Sequence, residues 1–209
     1  MTSPLLKSRV ELAPPRGRYD RTLDEAARDH AQTARVIQAT AEQLAARGPA
    51  ELTVEHVIIH AGISRATFYQ HFSDLDAAVA SVVDALEEKV VGGCASALRQ
   101  EPAPRGQLQA MATAFLVEVE NHPHLTLAGA LVLDPQRAES ALRRLLRPLL
   151  QRWLDDARRA GLAAPTATPL VGGWLAALFE VTALDLVLRG GALGELAERL
   201  ARGASGLVR

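Results

Sequence analysis

The sequence predicts an all-α fold of nine helices, on three observations. Past residue 22 the apolar residues recur at the 3.6-residue period of a helix, and Ala and Leu carry that pattern with few β-branched runs. Gly and Pro cluster between the periodic segments. With 209 residues, 48% hydrophobic and 22% charged, the chain is long enough to bury a sizeable core in one or two domains. Aromatic residues make up 4%, so Leu, Ala and Val must fill that core.

Residues 1–22 show no helical period and contain Pro4, Pro14, Pro15 and Gly17, which predicts a flexible arm. The first helix is expected over about 24–47, with Ala34, Ile37, Ala41, Leu44 and Ala45 on one face and Gly48-Pro49 as its stop. A short helix over 54–60 follows, capped by Thr53 and apolar at Val54, Val57 and Ile58. Ala61-Gly62-Ile63-Ser64 reads as a tight turn in which Gly supplies positive φ and Ser64 caps a third helix, Arg65 to His71. Ser73-Asp74-Leu75-Asp76 has capping-box spacing and opens a fourth helix to about Arg99, apolar at Val79, Val82, Val83, Leu86 and Val90. Beyond Pro102-Ala103-Pro104, helices are expected over 105–121, 123–133 and 135–160, the last one kinked at Pro148. Helices over 167–189 and 193–203, separated by Gly190-Gly191, complete the nine.

Several function classes drop out. A single cysteine, Cys94, excludes an internal disulfide framework or a cysteine-based zinc site, and reads as a buried small hydrophobe. The first residues have no apolar run of signal-peptide length, and no stretch holds eighteen uninterrupted apolar residues, so a soluble, cytoplasmic protein without membrane partners is expected. Nucleophile elbow, Walker loop, H-E-x-x-H and G-x-G-x-x-G are all missing, and the carboxylates form no E-x-x-H pairs, so neither an enzyme nor a cofactor is expected. His56 and His60 stand four apart on one helix without a completing ligand, and His122-Pro123-His124 reads as a helix entry with surface histidines, so no metal site is expected either.

What remains is a helix-turn-helix, two short helices joined by a Gly-containing turn with Ser capping the second. The stretch from Arg35 to Val79 carries more than that outline. Thr53-Val54 opens the second helix, Ala61-Gly62-Ile63-Ser64 forms the turn, and Thr67-Phe68-Tyr69-Gln70-His71-Phe72 closes the third. In these residues, and in the nine-helix plan, the sequence resembles the TetR family of transcriptional regulators. The resemblance implies an N-terminal three-helix DNA-binding domain over 23–72 and a helical effector-binding and dimerisation domain over 73–209. It implies a homodimer on the double-stranded DNA of a palindromic operator, acting most simply as a repressor that a small-molecule effector releases.

On that reading Arg65 presents its guanidinium fork to a guanine edge or a phosphate, while Ala66 and Thr67 are small enough to let the helix approach the groove. Tyr69 and His71 match positions that resemble phosphate clamps; Thr53 and Ser64 cap the two helices facing the backbone. Phe68 and Phe72 are assigned to packing. A dimer face is expected on the last two helices from Leu170, Trp174, Ala177, Leu178, Val181, Leu184, Leu188 and Leu196, with Gly172 and Gly173 allowing close approach. Apolar candidates for the effector site are Phe115, Val119, Leu131, Leu146, Trp153 and Phe179, with Asn121 and Glu180 to orient a mostly apolar ligand.

The sequence also departs from the family pattern. Leu75 stands where a backbone-contacting Lys is usual, flanked by Asp74 and Asp76, and His56-Val57-Ile58 replaces Glu-Ile-Ala in the second helix. These changes keep a second class open, a scaffold of the same fold that binds another protein and has weak or no operator affinity.

The net charge of −1 is unevenly spread. Residues 1–21 hold Lys7, Arg9, Arg16, Arg18 and Arg21 against Glu11 and Asp20, a net +3, whereas residues 22–72 hold four arginines against six acids. The helix-turn-helix is therefore not basic, and the arm carries the surplus. Deleting residues 1–21 should lower DNA affinity and flatten the dependence of log K on log salt, by about 0.9 for each cation that meets a phosphate. An unchanged slope would show that the arm never reaches DNA.

Overall fold

The computed structural model describes residues 25–134, 136–164 and 169–207. The basic arm expected over residues 1–22 lies outside them. Among the described residues nine helices form, as the periodicity predicts, together with one pair of two-residue strands. Helix α1 is Glu25–Arg47, α2 Val54–Ala61 and α3 Arg65–His71. Helix α4 runs from Leu75–Leu86 through a π-helical turn, Glu87–Val91, into Gly92–Gln100. Then come α5 (Pro104–Asn121), α6 (Pro123–Leu131), β1 (Leu133–Asp134), β2 (Glu139–Ser140), α7 (Ala141–Arg159), α8 (Pro169–Arg189) and α9 (Leu193–Leu207). The chain forms two compact units divided at Asp84/Ala85, within α4.

In the first unit α1 buries Val36, Ala39, Thr40, Ala41 and Leu44, a stripe rotated from the expected one, since Ala34 is exposed. Thr40 is tolerated there because its hydroxyl donates to Val36 O at 2.8 Å. The caps form largely as read: Thr53 accepts from the His56 N–H, and Gly62 takes φ +66° while its N–H closes α2 on Ile58 O. At α4 the cap differs from the Ser73-x-x-Asp76 expectation. The helix starts at Leu75, so Asp74 is the capping residue, and its Oδ1 accepts the Ala77 N–H at 2.8 Å.

The π turn in α4 has a cause in the sequence. Ala78, Val82, Leu86, Val90 and Cys94 recur every four residues, and all five are fully buried. In a regular α-helix each such step overshoots a full turn by about 40°, so the stripe would wind off the core. A turn of i→i+5 bonding takes up that drift.

In the second unit α5 packs on the last part of α4 and on α9, and α7 packs on α8. Two expectations fail between 131 and 141. Helix α6 stops at Leu131 rather than 133, and α7 begins at Ala141, not Pro135. Asp134 diverts the chain: its Oδ1 accepts the Gln136 N–H and its carbonyl the Ala138 N–H, a turn that pairs Leu133 with Ser140 and Asp134 with Glu139. Ala138 adopts φ +49°, and Ser140 then caps α7 by accepting the Arg143 N–H. Pro148, expected to kink or break α7, lies on an exposed face of a helix that runs on through it, where the carbonyl it leaves unpaired can be hydrated.

Glycine permits a close approach between α6 and α4. A Cβ on Gly129 of α6 would stand 2.3 Å from Leu86 Cδ2, and Leu86 is fully buried with nowhere to turn. Gly129→Ala should destabilise the fold by about 1–3 kcal/mol in urea unfolding. The Gly129→Ala/Leu86→Ala double variant should lose less than the sum of the two single losses.

Candidate functional site

Helix α3 has seven residues, too few to be stable alone, so its position depends on what holds its ends and its inward side chains. Phe68 is fully buried, stacked edge-on to Tyr69 at 5.3 Å between ring centres and packed on Phe72 at 5.7 Å. Ser64 Oγ accepts the Thr67 N–H at 3.0 Å and contacts the Thr67 hydroxyl at 2.8 Å. With Phe68 inward, the opposite side of α3 presents Arg65, Ala66, Tyr69 and Gln70 to solvent, and Thr67 is half-exposed. The motif does not single out Gln70. Its signal is the spacing from Ala66, four residues on along the outer face.

His71 is placed differently from the phosphate-clamp expectation. Its side chain is only 6% exposed and turns to α1, with Nδ1 3.0 Å from Thr33 Oγ1 and 3.5 Å from Asp29 Oδ1, and Nε2 3.3 Å from Gln32 Oε1. The Thr33 hydroxyl gives its own proton to Asp29 O, so Nδ1 is the donor in that pair. His71 therefore fastens α3 to α1. His60 is likewise committed, paired with Glu42 of α1, and Arg65 is ion-paired with Glu55 in the first turn of α2.

The effector candidates in the second unit divide into two groups. Phe115, Val119, Leu146, Trp153 and Phe179 are buried, with the Phe115 and Phe179 rings 5.3 Å apart. The Trp153 indole donates to Pro104 O at 2.7 Å, which ties α7 to the start of α5. Asn121 and Leu131 do not join them. As the last residues of α5 and α6 they stand at exposed helix ends. Glu180 is buried but already partnered: the Ser140 hydroxyl donates to Oε1, and Arg143 Nε stands 2.7 Å from Oε2 as an ion pair without hydrogen-bond alignment. Glu139 is paired with Arg147 beside it. The carboxylate expected to orient a ligand thus anchors α8 to the start of α7. Cys94 is buried, and desolvation pushes its thiol up to about 12, which removes the thiolate that redox sensing requires.

Helix α8 is apolar on most of its surface, interrupted by Glu180 and Asp185, and is long and apolar enough by composition to cross a membrane, yet one face is committed to the core through Val171, Leu175, Ala176, Phe179, Ala183 and Leu186. The other face leaves Leu170 61%, Trp174 52%, Val181 62% and Leu188 43% exposed, with Ala177, Leu178 and Leu184 half-buried. Leu196 of α9 is buried within the chain and helps line the groove beside this face, together with Leu178, Val181, Leu184, Leu188 and Leu200. Of the two glycines expected to serve that face, Gly172 instead lies against Gln151 of α7, whose Oε1 would be 2.6 Å from a Cβ.

Residues 36–80 match the family described as "Bacterial regulatory proteins, tetR family". The chain is 30% identical over 141 residues to the HTH-type transcriptional regulator EthR of Mycolicibacterium smegmatis, and the match spans 64% of each protein. The fold is similar to a TetR family transcription regulator from Marinobacter aquaeolei, with a TM-score of 0.71 at 18% identity over 88% of this chain and 98% of that one. It is also similar to the fatty acid degradation regulator FadR of Bacillus halodurans, with a TM-score of 0.69 at 15% identity over 84% and 95%.

Removing the Glu180 carboxylate leaves Arg143 without its counter-charge and the buried Ser140 hydroxyl without an acceptor for its proton. Glu180→Ala should cost about 2–4 kcal/mol in chemical unfolding, below the range for a fully buried pair because Arg143 is partly hydrated. Glu180→Gln, which keeps an acceptor for Ser140, should cost about half of that.

Proposed function

We propose that this chain, which belongs to the TetR family, is a ligand-responsive DNA-binding transcriptional regulator, most simply a repressor released from a palindromic operator by a small, mostly apolar effector. The observation that carries the reading is the outer face of α3, where Arg65, Ala66, Tyr69 and Gln70 are all exposed on a helix of major-groove dimensions. Arg65 and Gln70 suit guanine and adenine edges, Ala66 allows close approach, and Tyr69 donates to phosphate. Thr53 and Ser64 hold the helix starts that face the backbone. Asp74, which caps α4, has a structural role that accounts for an acid beside the motif.

In this reading residues 1–22 are a basic arm, 23–72 the DNA-binding domain, and 73–209 the effector-binding and dimerisation domain of a cytoplasmic, non-enzymatic protein. The effector enters among Phe115, Val119, Leu146, Trp153 and Phe179, whose apolar packing favours a ligand of the same character. A second copy covers the outer face of α8, because an exposed stripe with Leu, Trp and Val on a helix already buried on its other side is costly to leave in water. Two-fold symmetry then matches two recognition helices to two half-sites.

A charge in the centre of that stripe tests the dimer and the palindrome together. Val181→Arg should sediment as a monomer and bind a palindrome selected by the parent chain from random duplexes at least about 10-fold more weakly, while retaining its helical circular dichroism. A folded variant that remains dimeric, or that holds the palindrome as tightly as the parent, would overturn this reading. Failure of the parent to select any sequence would favour the protein-scaffold alternative.

A further inference from the structure

Glu55 is an acid on a surface expected to meet phosphate. It sits in the first turn of α2, two residues after the capping Thr53, and pairs with Arg65, the first residue of α3. Both side chains are more than half exposed, at 57% for Arg65 and 56% for Glu55. Such a pair contributes little to folding, so its consequences are to be sought in binding.

We infer that Glu55 is a positioning residue for Arg65: it holds the guanidinium for reading a base and withholds its charge from the phosphate backbone. The inference rests on the proposed DNA-binding reading and names a specificity determinant within it. A free arginine on a flexible stem finds a phosphate at every register of a duplex, and that contact carries no sequence information. A carboxylate on one side of the guanidinium occupies part of its five-donor fork and restricts its rotamers. The remaining N–H groups keep the geometry that guanine O6 and N7 require, and the local charge falls toward zero, which weakens attachment to any DNA lacking that base. The surrounding segment fits this division, since residues 22–72 hold more acids than cations. Binding strength then comes from placed contacts rather than from a cationic face.

The full-length chain, Glu55→Gln, Glu55→Asp, Arg65→Ala and the Glu55→Gln/Arg65→Ala double variant are compared in two measurements. One is the salt dependence of binding to a random-sequence duplex; the other is the base preference recovered by selection from a random duplex pool. Glu55→Gln should bind the random duplex about 5- to 10-fold tighter at 0.1 M salt, with a slope steeper by about 0.9 for each Arg65 released to a phosphate. It should also lose preference at one base pair per half-site. Glu55→Asp should restore part of that preference, and in the Arg65→Ala background Glu55→Gln should change neither quantity. Unchanged melting temperatures exclude a folding defect as the cause.

Two results would sink the inference alone. One is a Glu55→Gln effect that persists without Arg65, which would make Glu55 a simple repelling charge or a helix-terminus stabiliser; the other is an unaltered slope with unaltered base preference. If the parent chain selects no sequence and binds no duplex, the DNA-binding reading itself fails and this inference with it.

Discussion

The face proposed to read DNA depends on one constraint: a seven-residue helix has to be held rigidly by a small inner surface while its outer surface stays bare. An isolated helix of that length does not persist in water, because the cost of nucleation is never recovered. Full burial of the Phe68 ring supplies about 1.5–3 kcal/mol toward holding it. The Ser64 cap fixes one end, and His71, hydrogen-bonded into α1, fixes the other. The turn before it needs the left-handed backbone that Gly62 adopts. Together these four residues hold α3 in place, and the side chains of Phe68 and His71 turn inward, away from its exposed outer face.

The second unit meets a different demand. With few aromatic residues, its core gains density from close helix approach rather than from large side chains. Gly129 lets α6 settle onto Leu86, and Gly172 lets α8 settle against Gln151 of α7. Packed this tightly, α7 and α8 also bury polar groups where α7 begins: the Ser140 hydroxyl donates to Glu180, and Arg143 balances the carboxylate's charge as an ion pair. The same cluster explains the short strand pair before α7, which brings Ser140 into register to serve both as helix cap and as donor to Glu180.

Much of this was legible from residue order. Helix positions follow from apolar period and from stops such as Gly48-Pro49 and Gly190-Gly191, because those signals act within a turn or two of chain. Thr53, Gly62 and Ser64 took the roles their chemistry predicts, again through contacts spanning three or four residues. The helix start expected near 135 does not form because Asp134 offers the backbone a competing turn, and the Ser140 that follows it is hydrogen-bonded to Glu180 forty residues away. The π turn was encoded in a four-residue repeat, but a repeat of four is close enough to 3.6 to pass for an ordinary helix.

The sequence by itself determined the all-α class, the order of helices and the helix-turn-helix, since periodicity and capping are local properties. Only the tertiary structure decided which groups remain available. His71 turns inward to Thr33, Glu180 is taken by Ser140 and Arg143, Asn121 and Leu131 end at the surface, and Arg65 meets Glu55. Each of these outcomes depends on a partner brought close by packing between elements, and one-dimensional spacing carries no record of that distance.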